Sequence, residues 1–170
     1  MSRGQDEGAG SSIDFSTSRG RDYPSVRQFN VFVENRVGNL LNIVRRFESS
    51  DNRIVSITVV DSADCAIIRM VLSDPERARE TFELAGLPCT ESDLLVVELP
   101  AGQQPLVTIC KALLGAEISI HYAYPLLVGP NGRSALALHV EDHETAVGTL
   151  ERLGFTLFTE KDLQAEDDLM

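Results

Sequence analysis

The sequence predicts an α+β fold: two ferredoxin-like βαββαβ units in tandem, each an antiparallel sheet with its helices on one face. Three observations carry this. Strand-like and helix-like stretches run strand-helix-strand-strand-helix-strand, and the order then repeats. The repeat keeps register: a shift of 66 lays Val31 on Val97, Leu40 on Leu106, Ile43 on Ile109 and Ile54 on Ile120, while a shift of 68 lays Asp74 on Asp142, Glu76 on Glu144, Ala78 on Ala146, Thr81 on Thr149, Glu83 on Glu151 and Gly86 on Gly154. The two-residue change falls in the turn between the second and third strands, where insertions are tolerated. Finally, 43% of the residues are hydrophobic, enough for a core, so two small domains or one ordinary one can be built from 170 residues.

The elements follow in order. Residues 1–24 are rich in Gly, Ser and charge, with few apolar groups to offset the entropy of ordering, and are expected to be a mobile tail. Residues 27–33 alternate, with Phe29, Val31 and Val33 on one side, as a strand does. In 38–50, Leu40, Ile43, Val44 and Phe47 stand at helical spacing. Residues 53–60 and 65–72 read as strands around the turn Asp61–Asp64. A helix opens at Ser73 or Asp74, has Pro75 in its first turn, stops at Gly86 and turns Ala78, Phe82 and Ala85 inward. Residues 87–91 make a short closing strand.

The second unit repeats this pattern with a strand at 93–99, then a helix whose Leu106, Ile109, Cys110 and Leu113 face inward. Strands at 117–128 and 134–140 flank the turn 129–132, a helix follows Asp142, and 155–159 close the unit. The expected organisation is therefore a tail at 1–24, a first unit at 25–91, a second at 92–159 and a frayed acidic tail at 160–170. Right-handed crossovers would set the first and third strands of each unit side by side.

The formal charge is 15 − 26 = −11. Nucleic-acid backbones and anionic membranes would repel such a chain, so neither is expected as a partner. The aromatic third-strand signature of an RNA-binding sheet is missing from 65–72. No apolar run is long enough to span a membrane, and no signal-peptide pattern opens the chain. Cys65, Cys89 and Cys110 are odd in number and have no metal-ligand spacing, so buried free thiols in a reducing cytoplasm are expected.

No catalytic constellation, metal site or cofactor is expected. His139 and His143 straddle a strand end and a helix start, and read as a surface pair. His121 lies on a strand beside Tyr122 and Tyr124. A family with a fold of this kind serves many purposes, so function has to come from a site.

The one candidate is the first turn. Asn35, Arg36, Val37, Gly38, Asn39 and Leu40 join the first strand to the first helix in "VFVENRVGNL". A helix start offers unpaired N–H groups, Gly removes the Cβ from the approach to the backbone, and Asn can both donate and accept. The same residues can equally be read as a cap and an easy turn. The second turn differs: Ala101 stands for Asn35 and Gln104 for Gly38, with Pro105 removing a donor.

This turn resembles the ligand loop of the ACT domain, a small regulatory module. The family's loop runs through Asp or Asn, often Pro, then Gly, and on to Leu. Asn35, Val37, Gly38 and Leu40 hold those places, with Val37 where Pro is usual. The matching helix starts at 73–78 and 141–146 extend the resemblance over residues 27–159. It implies a stand-alone, non-catalytic, cytoplasmic sensor that binds an amino acid. The ligand would lie at 35–40, walled by His121 and Tyr122 of the neighbouring unit, in a chain that forms a homodimer. The alternatives are a protein–protein scaffold and a regulatory subunit of an amino-acid metabolic enzyme.

Overall fold

The computed structural model describes residues 22–164. Along the chain run β1 (Val26–Glu34), α1 (Asn39–Val44) with a 3-10 turn (Arg45–Phe47), β2 (Ile54–Asp61), β3 (Cys65–Leu72), α2 (Pro75–Leu84) and β4 (Cys89–Glu98). Then come α3 (Pro105–Gly115), β5 (Ile120–Pro125), a 3-10 turn (Pro130–Gly132), β6 (Ala135–Val140), α4 (His143–Arg152), β7 (Leu157–Phe158) and α5 (Glu160–Gln164). The strands are ordered β2-β3-β1-β4-β6-β5, with β7 also on β4, and all pairs are antiparallel. Each unit thus has its first and third strands adjacent, as the ferredoxin-like arrangement requires.

The duplication is visible in atomic detail. Asp74 and Asp142 both precede their helices at φ −123° and ψ 94°. Asp74 accepts from the Arg77 amide at 3.2 Å and Asp142 from the Thr145 amide at 3.0 Å, satisfying an N–H that the helix leaves open. Hydrogen bonds from the Thr145 side chain and backbone hold the Asp142 carboxyl below its ordinary range. Both helices end at a left-handed glycine, Gly86 at φ +65° and Gly154 at φ +85°.

Three apolar clusters divide the interior. Phe29, Val31, Ile68 and Met70 pack under Ile43 and Phe47 of the first helical segment and Ala78 and Phe82 of α2. Leu95, Val97, Leu138 and Val140 pack under Ile109 and Leu113 of α3 and Ala146 and Leu150 of α4. The opposite faces of the two sheet halves meet in a third cluster containing Val26, Val55, Leu94, Val96, Tyr124 and Ala137. The sheet therefore folds back on itself with helices outside, and its two ends touch: the Leu127 amide donates to the Val55 carbonyl at 2.8 Å, and Ser56 Oγ to the Pro125 carbonyl at 2.6 Å.

Several expectations are corrected. The strands expected at 87–91 and 93–99 are one strand: β4 pairs with β1 from Cys89 to Leu94 and with β6 from Leu95 to Glu98. The line expected between the units at 91/92 falls inside it. Residues 160–164 are not frayed but form α5, with Leu163 and Glu160 buried. Tyr23 packs against the second core, and His143 Nε2 donates to the Pro24 carbonyl at 3.0 Å, so Tyr23 and Pro24 are docked. The rest of the tails expected to be mobile, 1–21 and 165–170, lies outside the described residues. Leu40, Leu106 and Cys110, expected inward, are exposed; Val44 and Ala85 are only half-buried.

Candidate functional site

After Glu34 the chain turns sharply. The Arg36 amide donates to the Glu34 carbonyl at 2.8 Å, and Asn39 Nδ2 reaches the same carbonyl at 2.6 Å. Arg36 Nε also pairs with Glu34 Oε2 at 2.6 Å, but both side chains are exposed, so the pair adds little stability. Gly38 takes the position before α1 at φ +89°, a conformation that a side chain disfavours. A Cβ built there would meet nothing within 4 Å. Val37 is fully exposed. Among the described residues, the amides of Val37 and Gly38 have no acceptor.

Asn35 does not cap the helix. Its Nδ2 donates to Asp61 Oδ1 at 2.7 Å, at the end of β2, and among the described residues no side chain caps α1. The turn thus has two chemically distinct sides, open amides at 37–38 and a carboxylate at Asp61. Sequence reasoning missed Asp61, because the crossover that brings β2 beside the turn is a tertiary event. The dipole of α1 contributes less than a longer helix would, since it has six residues.

His121 and Tyr122 stand elsewhere. A bulge in β5 between Ile120 and Tyr122 swings His121 toward β6, where its Nδ1 lies 3.1 Å from Nδ1 of His139. Tyr122 stacks on His139 with ring centroids 4.8 Å apart, carries the Arg69 guanidinium 3.8 Å above its own ring, and accepts from Gln28 Nε2 at 2.8 Å. Tyr124 Oη donates to Gln28 Oε1 at 2.5 Å. The fully buried Gln28 also reaches Asn30, so this polar ladder satisfies β1 between the two sheet halves. Burial, then His121 and Arg69, hold the His139 imidazole below its ordinary range. Arg69 pairs with Asn30 across the sheet, five residues before Asn35, or about 16 Å along a strand. The structure brings 35–40 together and sets His121 and Tyr122 apart from them.

Two cavities lie near the expected sites. One of about 720 Å³ sits at the second turn, lined by Leu99, Ala101, Thr108, Lys111, Arg133 and Phe155 among others. Another of about 700 Å³ lies at the seam, between Leu41, Val44 and Phe47 of the first unit and Leu127 and Val128 of the second. Residues 35–40 line neither. Their surroundings are open to solvent, so a ligand there needs a further wall. Among the described residues, no three His, Cys, Asp or Glu side chains are grouped to hold a metal, and no helix is long and apolar enough to cross a membrane.

A search of curated proteins finds no match. A solved protein structure from Bacteroides thetaiotaomicron superposes with a TM-score of 0.74 at 18% identity, covering 82% of this chain and 96% of that one. The ligand-free regulatory subunit of aspartate kinase from Thermus thermophilus superposes with a TM-score of 0.51 at 11% identity, covering 79% and 96%. At such identities the likeness is one of fold. A family model described as an ACT domain pair matches residues 24–166. That span takes in both βαββαβ units, their twin aspartate caps and the docked α5, and the chain belongs to the ACT domain pair family.

Proposed function

We propose that the protein is a non-catalytic regulatory module, working in the cytoplasm as a homodimer, that binds an amino acid at the turn Asn35–Leu40. The observation that carries this is the pairing of unclosed amides at Val37 and Gly38 with the Asp61 carboxylate beside Asn35. An amino acid is itself a carboxylate and an ammonium a short distance apart. Its carboxylate suits the amides, and its ammonium suits Asp61 and the Asn35 carbonyl oxygen. Gly38 leaves the approach open. The wall that the turn lacks in one chain is not attributed to His121 and Tyr122, which the ladder around Gln28 holds.

A thermal-shift screen with the twenty amino acids tests the reading. At 100 times its dissociation constant, a ligand should add ~2.7 kcal/mol, a rise of roughly 5–10 °C for a chain of this size. Asn35→Ala should remove most of that rise, while Gln104→Ala should leave it, because the second turn lacks the Asn and Gly places. No shift beyond a degree with any amino acid would favour a scaffold or an enzyme's docking subunit, a reading supported by the apolar residues left exposed on α3.

Gly38→Val should lower affinity at least tenfold in a protein that still folds. The added side chain enters the approach, and φ +89° is costly for a branched residue. Titration calorimetry giving the parent affinity would count against the site.

A further inference from the structure

Helix α3 is apolar on both sides. Ile109 and Leu113 are fully buried in the second core, which accounts for one face. The other face presents Leu106, Val107, Cys110 and Leu114 to solvent, with Leu114 75% exposed. An outward helix face in a soluble protein is ordinarily polar. The other long helices are mainly polar outside: α2 turns Arg77, Glu80 and Glu83 outward with a single exposed Leu84 at its end, and α4 turns Glu144, Glu151 and Arg152 outward. Val107, Cys110 and Leu114 are spaced three and four apart, the seam spacing of a helix that packs on another helix.

Charge singles out the partner. Two copies of a chain carrying −11 repel one another over most of their surfaces. From Pro105 to Gly115 there is no acidic residue, and the one charge is Lys111. The seam is also self-complementary. When two α3 helices run antiparallel, Val107 of one meets Leu114 of the other, and Cys110 lies beside the stem of Lys111 in both directions, as a two-fold contact requires.

We propose that the outer face of α3 is where two copies of the chain meet, in an antiparallel α3–α3 contact centred between Cys110 and Lys111. The contact is independent of whether the first turn binds a ligand. Leu153, exposed at the end of α4 and lining the same cavity as Lys111, extends the apolar surface beside it.

Sedimentation velocity of the full chain, over a range from low to high micromolar, tests this. The expected result is a dimer that Leu114→Glu weakens at least about tenfold by placing a carboxylate against its own copy's apolar seam. Leu84→Glu, a change on the exposed end of α2, should leave association unchanged. A short bis-maleimide should join parent chains into a covalent dimer, and Cys110→Ser should abolish the product; this second readout stands even where Leu114→Glu fails to fold. A parent chain that stays monomeric, a dimer indifferent to Leu114→Glu, or crosslinking that survives Cys110→Ser would each overturn the proposal. The first of these outcomes would leave α3 to a different protein.

Discussion

Glu160→Ala should lower the unfolding midpoint by roughly 6–20 °C, the equivalent of about 3–5 kcal/mol for opening a buried ion pair in a chain of this size. Arg27 and Glu160 are both almost fully buried, with Nε to Oε1 at 2.8 Å and Nη2 to Oε2 at 3.1 Å. The Arg27 amide donates to the same Glu160 Oε1 at 3.0 Å. Burial works against the Arg27 charge, yet the Glu160 and Glu76 carboxylates outweigh it and hold the guanidinium above its ordinary range. Among the described residues, removing Glu160 leaves a buried cation with only the half-exposed Glu76, at 2.9 Å, and with Nη1 already lacking a partner.

The loss should come from the stranded charge rather than from the pair as such. Arg27→Met combined with Glu160→Leu should therefore recover most of the stability lost by Glu160→Ala, since apolar replacements of a buried pair are often neutral or better. Chemical denaturation of the parent and these two variants measures this. A Glu160→Ala midpoint within error of the parent would show that α5 does not hold the end of the chain.

Phe82→Ala should cost about 3–5 kcal/mol, the usual range for deleting a buried aromatic ring. Phe82 is 0% exposed and stands at the centre of the first core, with ring centroids 5.4 Å from Phe29 and 5.6 Å from Phe47. It joins α2 to β1 and to the 3-10 turn after α1, so its removal loosens three elements together. Phe82→Leu, which refills much of the volume, should cost clearly less. Equal losses from the two substitutions would mean that the site collapses freely around either side chain.

These two predictions come from different places. Phe82 was legible in the sequence, because a helix with polar Arg77, Glu80 and Glu83 outside can turn only one stripe inward. A cap at Ser73 or Asp74 and the glycine stop at Gly86 were legible for the same kind of reason, since each is satisfied within a few residues of its own backbone; the structure chose Asp74 and repeated it at Asp142. The duplication placed the sheet order within reach, because crossover handedness leaves few arrangements for a βαββαβ unit. On α3 the same method failed at Leu106 and Cys110. A helix with apolar residues on both sides gives periodicity nothing to choose with.

What the sequence alone determined is the repeat and most of its strands and helices, all of which rest on local spacing. Only the tertiary structure decided what those elements meet. It joined 87–91 and 93–99 into one strand, brought Asp61 to Asn35 across a crossover, and drew His121 and Tyr122 into the ladder around Gln28 and away from the turn. It also buried Glu160 on Arg27, 133 positions away in the chain. Thr159 and Asp162 cap α5 locally, but so short a helix gains its place from tertiary contacts. Leu163 enters the core, and the Arg27 guanidinium needs the Glu160 carboxylate only once the sheet has closed around it.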